Sequence, residues 1–141
     1  MKFTMASDDK KARLISRWHK IKIEIQLMAD KNNLYFREKE VWWASLGANL
    51  GHEEDGKNKK FERPVLILKK FNRHLILVIP LTSKIKEDKF YYYKFAISGE
   101  EFVSALICQI RLISSKRLSR KIGKVNNQDF KEIKYRIKGF L

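Results

Sequence analysis

A single cysteine, Cys108, is all that the 141 residues contain. No disulfide can form within the chain, and a reducing, cytoplasmic setting is expected. Histidine is scarce and scattered: His19, His52 and His74 lie far apart and match no zinc-ligand spacing. Long apolar runs are missing. The longest, Leu75 to Leu81, has the length of a buried strand and falls well short of the roughly 18 residues a membrane-spanning helix needs. The amino terminus shows no secretion signal, because the polar stretch Ser7-Asp8-Asp9-Lys10-Lys11 stands where an apolar segment would be required. Acidic charge is also in short supply, with 16 Asp and Glu against 31 Lys and Arg, a net charge of +15. Internal repeats and low-complexity segments are absent.

What is present is enough for one folded domain. The chain is 44% hydrophobic and 12% aromatic, a composition that builds a core and argues against disorder. A small domain of charge +15 repels itself unless it meets a polyanion. Nucleic acid, an anionic membrane surface and an acidic protein are the three classes to weigh. The membrane has the least support, since the amino-terminal helix carries too few large apolar residues beside its charges to anchor firmly.

The chain divides into two zones. Residues 1–35 read as a helical extension, with Leu14, Trp18, Ile21, Ile25 and Met28 recurring at helical spacing and Asp30, Asn32 and Asn33 as its stop. Residues 36–141 read as a strand-rich body. Strands are expected over 41–46, 63–68, 74–81, 90–96 and 102–113, with a loop over 47–60, a hairpin connection at 71–73 and a turn at Ser98-Gly99. A helical turn is expected at 115–118. A final helix, capped by Asn127, would carry Phe130, Ile133, Ile137 and Phe140 on one face. Short strands, tight turns and one packed helix indicate a mainly β, α+β fold: a small barrel with helical additions.

Three stretches can carry chemistry. The loop after the first strand holds Glu53 and Glu54 beside Lys59 and Lys60, with Arg63 at the start of the next strand. Metal-free RNA cleavage needs this kind of set. A base takes the proton of a ribose 2′-hydroxyl, which attacks the neighbouring phosphorus. A cation stabilises the extra negative charge, and an acid protonates the leaving oxygen. Because the substrate supplies its own nucleophile, no cofactor is required. Residue types alone leave a second reading open, that of an ordinary solvated loop. Thr82 and Ser83 follow the buried strand, and with Lys84 they could meet phosphate oxygens or merely satisfy backbone groups. The stretch from Gln109 to Lys124 carries Arg111, Lys116, Arg117, Arg120, Lys121 and Lys124 and no acid, which suits phosphate tracking.

Taken in order, Glu40-Val41-Trp42-Trp43, Leu46-Gly47, Gly51-His52-Glu53-Glu54-Asp55-Gly56, Glu62-Arg63-Pro64-Val65-Leu66-Ile67-Leu68, Val78-Ile79-Pro80-Leu81-Thr82-Ser83, Gln109-Ile110-Arg111, Lys116-Arg117-Leu118 and Lys121-Ile122-Gly123 resemble the PemK/MazF toxins. The resemblance covers roughly residues 36 to 141. It implies an SH3-like β-barrel with added helices, usually a homodimer, that cleaves single-stranded RNA to leave a 2′,3′-cyclic phosphate and a 5′-hydroxyl. It also implies a cognate acidic antitoxin. By position it assigns charge stabilisation or acid catalysis to Arg63, a hydroxyl contact to Thr82, and the base or a positioning role to Glu53. Ser83, Lys84, Lys59, Lys60, Glu54, Gln109, Arg111, Lys116 and Arg117 would contact RNA. The chain departs from the family pattern at Glu54, commonly Gln, at Cys108, often Asp, and at Ser114-Ser115, where Asp is often found. Two rivals remain: a non-enzymatic gyrase poison of the CcdB type, which shares this fold, and an RNA-binding module that has lost catalysis.

Overall fold

The computed structural model describes residues 5–29, 34–51, 53–85 and 90–141. Among these residues the α-helices and strands follow in the order helix α1 (Met5–Leu27), strands β1 (Glu40–Ser45), β2 (Glu62–Lys70), β3 (Leu75–Thr82), β4 (Tyr92–Ile97), β5 (Glu101–Leu106), β6 (Arg111–Ser114) and β7 (Leu118–Lys124), then helix α2 (Asn127–Lys138). All strand pairs are antiparallel. The sheet runs β4-β5-β3-β2-β1-β7, and β6 also pairs with β3. The mainly β, α+β fold expected from the sequence is present.

Strand β3 reads as continuously apolar because it is buried on both faces. Ile76 and Val78 pack with Trp42, Ala44, Val65 and Ile67 on one side. Ile79 and Leu81 pack with Val41, Leu66, Phe95 and Val103 on the other, where Phe130 and Ile133 of α2 complete the core. Strands β1 and β2 alternate in step with β3, so one register serves two apolar layers.

The implied barrel is not closed by a continuous ladder. Its edge strands, β4 and β7, meet at one end, where the Ser98 amide donates to the Lys124 carbonyl at 2.9 Å. Gly123 allows that approach, since a Cβ there would lie 2.5 Å from Ser98 Oγ and 2.7 Å from Ile97 Cγ2. The space between β4–β5 and β1–β2 matters for the site below.

Several sequence expectations need correction. The strand expected over 102–113 is two strands. A 3₁₀ turn at Ile107–Gln109, with Ile107 buried, carries the chain from one half of β3 to the other. Thus β5 pairs with Leu81 and Thr82, while β6 pairs with Leu75 to Val78. The basic stretch after Leu118 is itself strand β7, whose exposed charges at the sheet edge hide the strand period. The last helix is capped by Asn126, whose Oδ1 accepts from the Asp129 amide at 2.7 Å, and Asn127 is its first helical residue. Phe140 lies past the helix and meets Phe90 edge-on, with ring centroids 5.1 Å apart. Helix α1 spans Met5–Leu27, and the residues named as its stop (Asp30, Asn32, Asn33) lie outside the described residues.

The apolar face of α1 packs on the body of the chain. Trp18 is buried against Ala48 and Phe61, flanked by Leu14, Ile15, Ile21 and Ile25. Gly47, at φ 87°, lets the Trp18 ring lie against the backbone: a Cβ there would fall 2.1 Å from Cε2. Lys116 Nζ donates to the Gln26 and Met28 carbonyls at 2.9 and 3.0 Å, tying down the carboxyl end of the helix.

Candidate active site

Four adjacent strands place one row of side chains on the same face. Ala44 stands opposite Arg63, and Thr82 opposite Ser104. The β2–β3 register (Val65 to Pro80, Leu66 to Ile79), continued toward the strand ends, sets Arg63 opposite Thr82. Residues directly opposed in an antiparallel sheet project together, so the guanidinium and the hydroxyl share a face, and both residues are buried. Small residues, Ala44 and Ser104, flank them.

The loop between β1 and β2 folds back over Arg63. Arg63 Nε donates to the Asp55 carbonyl at 2.7 Å, and Nη1 donates to the Leu81 carbonyl at 3.1 Å. Nη2 pairs with Glu54 Oε2 at 2.9 Å. Two neutral carbonyls therefore fix the plane of the guanidinium, while its charge is met by one carboxylate. Asp55 organises the loop in turn. Its Oδ1 accepts from the Asn49 amide at 2.6 Å, and its other oxygen pairs with Lys11 of α1. The amino-terminal helix is thus two contacts away from the arginine. The loop ends in a turn in which Asn58 and Phe61 adopt positive φ (69° and 54°). For Phe61 that conformation is costly, and its packing against Trp18, ring centroids 5.6 Å apart, helps hold it.

Two cavities flank the arginine. The first, of about 320 Å³, is lined by Arg63, Thr82 and Ser83 together with Trp43, Lys57 and Glu62, and its apolar wall comes from β4, β5 and β7. The second, of about 490 Å³, is lined by Glu53, Glu54, Gln109 and Arg111 with Asn49, Pro80, Cys108 and Ile110. The Glu54–Arg63 ion pair joins the residue sets of the two. Gln109 also fixes the loop, its Oε1 accepting from the Glu54 amide at 2.8 Å. Glu53 is exposed and accepts from the Leu50 amide at 3.0 Å.

The second cavity carries charge of both signs, Glu53 and Glu54 facing Arg111. Burial pulls the Arg111 guanidinium below its ordinary value, and nearby Glu53 partly offsets this. Burial also lowers Arg117, and the Arg111 charge lowers it further. Arg117 Nη1 donates to the Ser45 carbonyl at 3.0 Å, and its guanidinium lies 5.6 Å from the centre of the Trp18 ring. An anion between Arg111 and Arg117 would relieve their repulsion.

The site residues read from the sequence fall into three groups. Arg63, Thr82 and Ser83 come together at the first cavity, and Glu53, Glu54, Gln109 and Arg111 at the second. Lys116 and Arg117 sit on a 3₁₀ turn beneath α1, where they line a separate cleft of about 390 Å³. Lys59, Lys60 and Lys84 are exposed and line none of these three cavities. Trp43, Lys57, Asn58, Glu62, Asn49 and Pro80 line the cavities and were not singled out. Trp43 gave a signal that could have been used: it is the residue of β1 whose strand alternation points it toward the same layer as Val41, yet it is only half buried. Among the described residues, no cluster of three His, Cys, Asp or Glu side chains is arranged to hold a metal ion, and no helix is long and apolar enough to cross a membrane.

Comparison with known proteins agrees with this architecture. Residues 37–141 match the family described as PemK-like, MazF-like toxin of type II toxin–antitoxin system. The fold is similar to that of MazF from Deinococcus radiodurans, at 18% identity, covering 76% of this chain and 97% of that one, with a TM-score of 0.60. It is similar to a mycobacterial endoribonuclease solved in complex with its cognate antitoxin, at 14% identity, covering 74% and 93%, TM-score 0.56. It is also similar to the Mycobacterium tuberculosis toxin MazF-mt6, at 16% identity, covering 71% and 93%, TM-score 0.54. At these identities the structural likeness establishes the fold alone. No curated protein matches the chain in sequence.

Proposed function

The chain belongs to the PemK-like, MazF-like toxins of type II toxin–antitoxin systems, and on that premise we propose that it is a metal-independent endoribonuclease acting on single-stranded RNA in the cytosol. The observation that carries this reading is the row in which Arg63 and Thr82 project together, beside cavities on two sides. The scissile phosphate would lie against that row. Thr82 Oγ would donate to a phosphate oxygen, and Arg63 would stabilise the dianionic phosphorane as charge develops. Its plane is already fixed by two carbonyls, so little reorganisation accompanies the reaction. The ribose 2′-hydroxyl loses its proton to a base, for which Glu53 is the candidate. The O2′–P bond forms, the P–O5′ bond breaks, and the 5′ oxygen leaves with a proton. The products are a 2′,3′-cyclic phosphate and a 5′-hydroxyl. Arg111, Arg117 and Lys116 would hold neighbouring phosphates, with Ser83, Lys84, Lys59, Lys60 and Gln109 along the strand's path.

In this reading residues 1–35 are an extension of a catalytic body spanning 36–141, and the active species is a homodimer. The regulatory partner is a cognate antitoxin with an acidic, flexible segment that competes with RNA for the basic groove. The net charge of +15 favours both polyanionic partners.

One observation favours a second reading, an RNA-binding module with silenced chemistry: Glu54 already occupies the Arg63 charge. Incubation of the purified chain with a long RNA in EDTA separates the readings. Fragments ending in cyclic phosphate, absent for Arg63→Ala, are the expected result. Intact RNA with either protein would leave the binding module. Intact RNA together with inhibited supercoiling would point to a gyrase poison.

A further inference from the structure

We propose that Lys11, on the amino-terminal helix, is a positioning residue of the nuclease site: through Asp55 it holds the Arg63 guanidinium in place for the phosphate. The proposal rests on the endoribonuclease reading. It adds to the site a helix that lies outside the residues matching the family.

Helical geometry puts Lys11 in reach of the loop. Leu14 and Trp18 follow Lys11 by three and seven residues, so all three share the face of α1 that meets the body. Trp18 anchors that face. Its ring is buried against Ala48 and Phe61 and lies over Gly47, where a Cβ would come within 2.1 Å of it. About two turns before the tryptophan, Lys11 Nζ meets the Asp55 carboxylate.

Asp55 joins the helix to the arginine. The loop around it is clasped by the Gly56 amide, which donates to the Gly47 carbonyl at 2.8 Å, and by the Leu46 amide, which donates to the Phe61 carbonyl at 2.9 Å. Inside the clasp, Asn49 Nδ2 donates to the Leu46 and Glu54 carbonyls at 3.2 and 2.8 Å, and the Asn49 amide donates to Asp55 Oδ1 at 2.6 Å. Asp55 Oδ2 accepts from Lys11, a group from outside the loop. The backbone carbonyl of the same residue accepts from Arg63 Nε at 2.7 Å. One residue therefore binds the helix through its side chain and the arginine through its backbone.

Two effects on Arg63 follow. The carbonyl that sets the guanidinium plane is braced by a packed helix, not by the loop alone. The Asp55 charge is also engaged by an ammonium. Without Lys11, the carboxylate of a residue already touching Arg63 becomes a second acid, beside Glu54, competing with phosphate for the guanidinium.

Two measurements on the full chain test this. The first is steady-state cleavage of a short labelled RNA by the wild type, Lys11→Met, Lys11→Arg, Asp55→Asn and the double variant Lys11→Met/Asp55→Asn. Methionine keeps most of the stem without the charge, and asparagine keeps an acceptor for the Asn49 amide. The expected result is a kcat about tenfold lower in either charge-removing single variant, the order of a sub-ångström misplacement. KM stays within about twofold, since one cation among many contributes little to binding. Lys11→Arg stays near wild type, and the double variant is no slower than either single one, because both changes cut the same link. Single effects that multiply in the double variant would overturn the proposal. So would a loss confined to KM with a shallower salt dependence, which would make Lys11 a phosphate contact, or lowered stability with unchanged kcat. The second measurement needs no cleavage: NMR of the arginine Nε–H groups, with Arg63 identified by the signal lost in Arg63→Lys. Slow hydrogen exchange there in the wild type and Lys11→Arg, about tenfold faster in Lys11→Met, supports the link even if RNA is never cut. Equal exchange in the wild type and Lys11→Met refutes it.

Discussion

Replacing Glu54 by glutamine should make the protein bind and cleave RNA more strongly. Glu54 Oε2 lies 2.9 Å from Arg63 Nη2, so a phosphate that approaches this guanidinium must displace the carboxylate or sit beside it. Unit charges about 4 Å apart interact by about 4 kcal/mol at an effective dielectric of about 20. Glu54 is 24% exposed at its side chain, so water and salt weaken that value to about 1–2 kcal/mol. The amide keeps the shape and can still meet the arginine edge weakly, but it neither neutralises the guanidinium nor repels phosphate. Released in full, that energy raises kcat/KM about five- to thirtyfold. The assay is the initial rate of cleavage of a short labelled RNA at several salt concentrations, with the gain shrinking as salt rises. A fall in rate would refute the reasoning and assign Glu54 a direct role in the proton transfer. An unchanged rate would show that the ion pair does not compete with substrate.

Two further predictions follow from the packing. Trp18→Ala removes the ring that covers Phe61 and Gly47, at a cost of about 3–4 kcal/mol. Hydrogen exchange should then quicken in α1 and throughout residues 46–61, and an unchanged pattern would show that α1 does not brace the loop. Glu62 is subject to two opposed influences: burial raises its pKa, while hydrogen bonds from Ser119 and Asn58 and the Arg120 charge lower it, and the net result is below the ordinary 4.5. Its contribution to stability is present above pH 4.5 and is lost as pH falls through the lower folded-state value. Urea midpoints measured from pH 6 down to pH 3 should therefore drop less steeply for Glu62→Gln than for the wild type, and equal slopes would contradict the assignment.

Much of the body was legible from local pattern. Val41 to Leu46, Arg63 to Leu68 and Leu75 to Leu81 carry enough β-branched and aromatic residues to be recognised as strands, and Phe130, Ile133 and Ile137 keep a helical period that survives at the surface. The break at Ile107–Gln109 was hidden because apolar residues continue on both sides of it, and what ends the strand is competition between β5 and β6 for different halves of β3. Strand β7 was hidden by its own charges, since its partner β1 lies on one side only. At the site, Arg63 and Thr82 could be named from position in the chain, but their alignment depends on the β2–β3 register, which no local pattern gives. The same holds for the Asp55 contacts to Lys11 and Arg63, which span residues far apart in sequence. Lys59, Lys60 and Lys84 show the opposite failure: charge and proximity in sequence singled them out, yet their side chains are exposed and line none of the three cavities discussed.

The central claim is that the substrate's own ribose makes the attack on a phosphate held by Arg63 and Thr82. It is tested most directly with an RNA oligonucleotide whose cleavage site has been mapped, compared with the same strand bearing one 2′-deoxyribose at the nucleotide 5′ to the cut. The account predicts that the ribose strand is cut in EDTA and that the single substitution abolishes cleavage there while leaving the affinity within about twofold, because every phosphate contact remains. Cleavage of the 2′-deoxy strand at the same bond would contradict it.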